Sequence, residues 1–505
     1  MQNERAIRSI VIVGGGTAGW MAAAALRSAL GRGSSIQLIE SAEIGIVGVG
    51  EATIPAIRQF NALIGLKEAA FMRQTKASLK LGIEFVGWGD AQSRYLHPFG
   101  VYGPHNDLGD FHQLYLMLRD KGLADDIGAY SLCGQAARRG RVAAPTVDPA
   151  SPLSRFTSAY HFDAILYGRH LRRFSEQLGV KRLEGEVIDV TLRSEDGFLE
   201  SLTLKDGQTV SADLFIDCTG FRGLLIEGAL KTGYDDWSHW LPVDRAVAVP
   251  CERVGPITPY TTSTVREAGW QWRIPLQHRT GNGYVYSSRF TTEEIATRTL
   301  MDNLDGAPLA EPRHLRFVTG RRRKAWNRNV VALGLASGFL EPLESTSIHM
   351  VHSGLVKLLQ HFPDREFSPV NIDTYNRRVS EEAQEVRDFI ILHYHATTRR
   401  DSEFWAYVAS MPIPDSLRDR IAIFRDRGML VSRPDELFSQ SSWLAVMLGQ
   451  GVIPQSYNPL ADRSDPQDTA ASFAALQRQI AQLVETMPDH EAFLAQNNML
   501  DTVEA

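Results

Sequence analysis

The 505-residue chain predicts an α/β fold in which a Rossmann-like GxGxxG sheet carries an integral β-rich lobe and a helical C-terminal portion. Three observations lead there. The apolar run SIVIV at 9–13 passes through GGGTAG into an alanine-rich helical stretch and then into a second apolar run, SIQLIE, the pattern of a βαβ unit. Residues 240–320 are rich in strand formers. From about residue 345 onward the periodicity is helical.

Composition narrows the function classes. The chain is 44% hydrophobic and 22% charged, ordinary for a globular protein, and too long for one simple core. A formal charge of -6 gives no general pull toward nucleic acid or an acidic membrane. Cys133, Cys218 and Cys251 are widely spaced, odd in number and without a CxxC pair, so neither a zinc site nor a disulfide framework is expected. No stretch is long and apolar enough to span a bilayer. The N-terminal run is too short for a signal segment, and a cytoplasmic location is expected.

Taken in order, Gly14-x-Gly16-x-x-Gly19, with Thr17 and Ala18 between, links a buried strand to a helix. Such glycines permit a tight turn and the close approach of a pyrophosphate to the helix N-terminus. Glu40 ends the second strand, where an acid can bind a ribose. This unit alone does not separate FAD from NAD. The stretch after Lys80 alternates as a strand, and 155–180 reads as a helix. Residues 181–220 read as three or four antiparallel strands followed by a buried one, ending DCTG at Thr219-Gly220. The run VVALGLASG is another buried strand ending in small residues, among them Ser337 and Gly338. Three such returns to the nucleotide site in this order favour FAD. The expected division is a core at 1–365, with the β-rich lobe interleaved, and a mainly helical portion at 366–505 whose last ten or so residues fray. WQWRIP at 270–275 sets two indoles on one face of a strand, which by itself suggests core packing.

With GGGTAGW (14–20), GVGEATIP (48–55), ASLKLGIEF (77–85), WQWRIP and GFLEPLEST (338–346), the chain resembles the flavin-dependent tryptophan halogenases over residues 8 to about 355. The resemblance implies a two-component enzyme. A separate NAD(P)H-dependent flavin reductase supplies FADH2, the flavin reacts with molecular oxygen, and halide, bromide or chloride, is oxidised to hypohalous acid. That oxidant travels through the protein to a lysine, which forms a haloamine or orients the oxidant by hydrogen bonding. An aromatic small molecule is then halogenated while a carboxylate stabilises the cationic intermediate and takes its proton.

On this chain the matching lysine is Lys80, with Lys76 as fallback, and the matching carboxylate is Glu344, with Glu341 on the flavin side. Gly50 joins the cofactor residues. The amides of Thr346 and Ser347 match the halide site, although the family commonly has Thr-Gly where this chain has Thr-Ser. The resemblance makes Trp270, Trp272, Ile274 and Pro275 a dry wall between flavin and substrate. His97 and Phe99 match a segment that contacts the substrate indole. Residues 438–462 lack the Tyr- and Glu-rich grip for an amino-acid head, so an electron-rich indole, pyrrole or phenol is expected rather than free tryptophan. Dimers occur in the family. Two rivals are an aromatic hydroxylase, which needs no lysine at position 80, and a non-catalytic FAD-binding protein.

Some features carry no function on sequence grounds. Arg321-Arg322-Arg323-Lys324 reads as a solvated strand edge or an inter-lobe contact. His349, His352, His393 and His395 lack metal-like company and read as core or surface histidines.

Overall fold

The computed structural model describes residues 4–41, 50–103, 111–433 and 435–500. Gly48 and Val49 of GVGEATIP, and the last five residues, lie outside the described residues.

The SIVIV run forms β1 (Ser9–Val13), α1 spans Thr17–Leu30 and β2 spans Ser35–Glu40. β1 lies inside a sheet whose order is Trp326–Asn327, Val330–Ala332, Leu214–Asp217, β1, β2, Lys181–Glu184, parallel throughout except at the first pair. A strand covered on both faces has no polar face to display, which is why its apolar run does not alternate. The three segments expected to return to the nucleotide site end on neighbouring strands of this sheet. Lys181–Glu184 extends it, so the antiparallel meander is the three strands Val187–Leu192, Leu199–Leu204 and Thr209–Ser211.

A second, small sheet corrects the expectation of an unbroken helix over 155–180. It consists of β3 (Gly50–Ala52), β4 (Ser78–Lys80) and, between them, β5 (Ala159–Asp163), with both pairings antiparallel. Only after β5 does α2 (Ala164–Gln177) begin, and the Asp163 carboxylate caps it by accepting from the Ile165 and Leu166 amides at 3.0 and 3.1 Å. Nothing in AYHFD breaks a helix. Two flanking strands draw it into a sheet, as tertiary context commonly does to local propensity.

The β-rich lobe is a seven-stranded sheet that contains β6 (Gly269–Pro275), the WQWRIP strand. In its register with Thr280–Tyr286, Trp272 faces Gly283 and Ile274 faces Gly281. A Cβ at Gly283 would sit 2.1 Å from the Trp272 ring, so the missing side chain makes room for the indole. The helices α3 (Ser347–Gln360) and α4 (Pro369–His395) follow. Val386–Tyr394 of α4 is buried against the β-rich lobe, in a core that also holds Trp270, Trp272 and Ile274. The C-terminal helices therefore close over the same strands that carry the chemistry-bearing motifs.

Overpacking a filled core costs about 1–3 kcal/mol. Gly283→Ala is expected to lower stability by that amount in denaturant unfolding, and Trp272→Phe in the same chain to recover part of it.

Candidate active site

A cavity of about 1070 Å³ opens where the parallel sheet meets the lobe. Its walls include Gly14–Ala18, Cys218–Arg222 and Gly334, Leu335, Ser337 and Gly338, the three segments in which strands of one sheet end. Gly14 has φ +113°, and its position would bring a Cβ to 2.2 Å from the Cys218 carbonyl oxygen, so only glycine fits. The N-terminus of α1 has no side-chain cap and no acid in its first turn, leaving its amides to the cavity. Six arginines, Arg169, Arg172, Arg182, Arg222, Arg321 and Arg322, also line it. An apolar-walled cleft of this volume, with arginines and a bare helix N-terminus, fits a flavin dinucleotide.

Most residues assigned to the cofactor from sequence reach this cavity: Gly14, Gly16, Thr17, Ala18, Glu40, Gly50, Thr219, Ser337 and Gly338. Gly19 does not line it. A Cβ there would meet the Gly14 carbonyl oxygen at 1.8 Å, so Gly19 lets α1 pack on the turn. Glu40 accepts from Trp20 Nε1 at 3.2 Å and from Arg172 and Arg182. Asp217, the acid before Thr219, is buried and accepts from the Leu225 and Ile226 amides at 2.8 Å, bracing the loop. The basic run also departs from expectation. Arg321 and Arg322 line the cavity, while pairing with Asp235 and Glu227 at 2.9 Å.

At its other end the cavity meets Trp270, Trp272, Ile274, Ser345, Thr346 and Ser347. Trp270 Nε1 donates to Glu341 Oε2 at 3.0 Å. Glu341 is fully buried, takes a second hydrogen bond from Tyr394 at 3.2 Å, and does not line the cavity, which corrects its placement on the flavin side. Burial pushes its carboxyl up to about 8. Pro275 lies behind the wall, where its carbonyl accepts from Ser78 at 2.6 Å.

Beyond that wall stands Lys80. The residue is 0% exposed, and its Nζ donates to Ser345 Oγ at 2.9 Å and sits 5.3 Å from the Phe99 ring centroid. Its strand is held from both sides. The Leu79 amide donates to His490 Nε2 at 2.9 Å, and the Leu81 amide to the Pro259 carbonyl at 2.7 Å. Burial lowers the Lys80 amine to about 7, against the pull of Glu344 and Glu51. Lys76 is half-buried, and only Lys80 is on the strand.

Glu344 is 1% exposed. His97 Nδ1 lies 3.1 Å from one carboxylate oxygen and His393 Nε2 lies 2.9 Å from the other. Burial alone would raise this carboxyl, but the charge of His97 and the contact with His393 outweigh it and hold the group at about 2. Ser345, next in the chain, has φ +59°, an unfavourable conformation for serine that turns its hydroxyl between Lys80 and the cavity. Thr346 precedes α3, whose N-terminus has no side-chain cap, so amides again face the cavity.

Several neighbours carried no usable sequence signal. His393 lies 49 positions beyond Glu344 and in none of the motifs, and His490 sits near the C-terminus.

 Glu51 was unmarked as well. It lines the cavity, and burial pushes its carboxyl up to about 7 while Lys80 holds it down. The visible signal for Glu51 was its place beside Gly50 in a quoted motif. For the two histidines there was none short of the fold.

Comparison with known proteins follows the same lines. The tryptophan halogenase family model matches residues 9–466. A 7-chloro-L-tryptophan 6-halogenase, KtzR, of Kutzneria sp. (strain 744) is 35% identical over 525 residues, covering 97% of this chain and all of its own. Among solved structures, Xcc4156, a flavin-dependent halogenase from Xanthomonas campestris, superposes with a TM-score of 0.94 at 47% identity, covering 98% of this chain and 99% of that one. BrvH, a flavin-dependent halogenase from Brevundimonas sp. BAL3, does so with a TM-score of 0.94 at 45% identity, covering 98% and 100%.

The buried amine has a stability consequence. Its folded value, about 7, lies below the ordinary 10.5, so the unfolded chain binds more protons between these limits and stability rises with pH across that window. Lys80→Met removes the cost of burying charge. The variant is expected to melt above the parent, with the gain largest below pH 7 and smallest above pH 10.5. A variant that melts lower at every pH would count against the buried amine.

Proposed function

Since the chain belongs to the tryptophan halogenase family and is a flavin-dependent halogenase, we propose that it transfers bromide- or chloride-derived halogen, through Lys80 and Glu344, to an electron-rich aromatic that is not free tryptophan. The observation that carries this reading is Lys80. Its buried amine is hydrogen-bonded to Ser345, which lines the cavity, and lies in the electrostatic field of Glu344.

Gly14, Gly16, Thr17, Ala18, Gly50, Thr219, Ser337 and Gly338 would hold FAD, with Glu40 and its arginines at the far end. Bound as FADH2 from a separate flavin reductase, the cofactor supplies the oxygen-dependent two-electron oxidation of halide to hypohalous acid. The amides of Thr346 and Ser347, at the uncapped start of α3, hold the halide. Trp270, Trp272 and Ile274 exclude water and keep the aromatic substrate away from the cofactor.

Lys80 orients the hypohalous acid as a hydrogen-bond partner, with Ser345 fixing the amine. The ring carbon takes the halogen, the hydroxide of the oxidant takes a proton from the Lys80 ammonium and leaves as water, and the ring proton passes to the Glu344 carboxylate, from which it returns to Lys80. A carboxyl held at about 2 is ionised at any ordinary pH and ready to accept. His97 and Phe99, beside Glu344 and Lys80, line the substrate side. In residues 438–462 the acids are Asp462, whose side chain takes a hydrogen bond from Tyr457, and no glutamate. That supports a substrate without an amino-acid head.

The test combines purified protein, FAD, an unrelated flavin reductase with NADH, and either halide with indole, phenol, pyrrole or tryptophan. Halogenated indole is expected by mass spectrometry, with little from tryptophan, and Lys80→Ala is expected to lower product by at least about 100-fold. Hydroxylated product that survives Lys80→Ala would favour the hydroxylase. Ser347→Gly is expected to change the bromide-to-chloride ratio; an unchanged ratio would remove Ser347 from the halide site.

A further inference from the structure

His393 stands apart from every motif, yet it meets Glu344 more closely than any quoted residue does. It is 0% exposed on α4, and its ring has two different neighbours. Nδ1 lies 2.8 Å from the Phe389 carbonyl oxygen, which can only accept, so Nδ1 carries a proton. In a neutral ring Nε2 would then bear a lone pair. Nε2 lies 2.9 Å from Glu344 Oε1, in a bent approach off the ring N–H line. Two bare acceptors at that distance would repel. With the Glu344 carboxyl ionised, the contact needs a proton on Nε2, so an imidazolium faces the carboxylate.

We propose that His393 is a positioning residue for Glu344, fixing the carboxylate through its contact at Oε1 so that the carboxylate is presented to take the ring proton. This rests on the reading of Glu344 given above. When the halogenated ring loses its proton, the C–H bond breaks, its electron pair restores aromaticity, and the proton bonds to the Glu344 carboxylate. The leaving hydroxide takes a proton from the Lys80 side and departs as water, and the extra proton on the Glu344 pair returns to Lys80. The sum is ring C–H plus hypohalous acid giving ring C–halogen plus water.

The groups around the pair are known from each element that meets it. Lys80 comes from β4, His97 and Tyr95 from the strand Arg94–Pro98, and Glu341 from the same loop as Glu344. Phe85 and Trp88 pack against the His393 ring, and Gln450 donates to its backbone carbonyl at 2.9 Å. Of these, His97 is the other group within reach of the carboxylate, and it contacts both oxygens, at 3.2 and 3.1 Å. The contact with His393 is among the causes that hold the Glu344 carboxyl low, so its loss raises that carboxyl.

The experiment compares the parent, His393→Gln, His393→Asn, Glu344→Gln and the Glu344→Gln/His393→Gln double variant as FAD-loaded enzymes with indole and bromide. Flavin binding and hypohalous acid, trapped by a scavenger, are read beside halogenated product across pH. His393→Gln and His393→Asn are expected to bind FAD and release hypohalous acid as the parent does. Their halogenation falls at least about tenfold, with a new acidic limb in the pH profile, because a raised carboxyl is lost as pH falls. In the Glu344→Gln background, His393→Gln is expected to add less than about twofold, since both act at one carboxylate. Unchanged halogenation, a fall without a new acidic limb, or full additivity in the double variant would overturn the proposal. Failure of the parent to make any halogenated product while hypohalous acid forms would instead sink the reading of Lys80 and Glu344.

Discussion

Withdrawing the Lys80 amine from water costs free energy, and remote parts of the chain converge to make that withdrawal hold. β4 takes its position from β5 on one side and from His490, near the C-terminus, on the other. The Ser78 hydroxyl ties the strand to the Pro275 carbonyl of β6, and Ser345, from the loop before α3, receives the amine. Two sheets, the loop before α3 and a C-terminal helix thus share one residue's surroundings. Desolvation favours the neutral amine, and the nearby Glu344 and Glu51 carboxylates favour the cation. The balance sets the amine near neutrality, where it can donate and accept at ordinary pH.

The same dryness explains the wall. Trp270, Trp272 and Ile274 face a cavity whose other surfaces hold the nucleotide-type turns, while Lys80 and Glu344 do not line that cavity. Indoles are large and rigid, and Gly283 leaves space for Trp272 against its neighbouring strand. Glu341 stiffens the wall from behind through the Trp270 indole N–H, and its own buried carboxyl, raised to about 8, is neutral at ordinary pH. A neutral carboxyl there adds no charge to compete with Glu344. The wall is core packing in its physics, as Trp-x-Trp on a strand suggests, and a partition in its position.

Local pattern revealed much of this. The βαβ opening, the buried strands at 214–217 and 330–332 and the glycine turns are readable because period and turn chemistry are local. The helix expected over 155–180 failed at β5, whose strand character comes from β3 and β4 on either side. Lys80, Glu344 and the indoles were visible as motif residues. His393 and His490 were not, because their contacts with Glu344 and Leu79 arise from helices packed on the core late in the chain. Arg321 and Arg322 read as a solvated strand edge or an inter-lobe contact, and they pair with acids and border the cavity. A run of arginines has no period that separates these outcomes.

The most direct measurement follows the Lys80 amine itself. Nζ-¹⁵N-labelled lysine in the full chain, assigned by comparison with Lys80→Met, would be titrated by NMR. The account predicts a midpoint near 7, well below the ordinary 10.5. A midpoint at the ordinary value would mean an amine in contact with water, and would contradict the buried, partitioned site on which the rest of the structure turns.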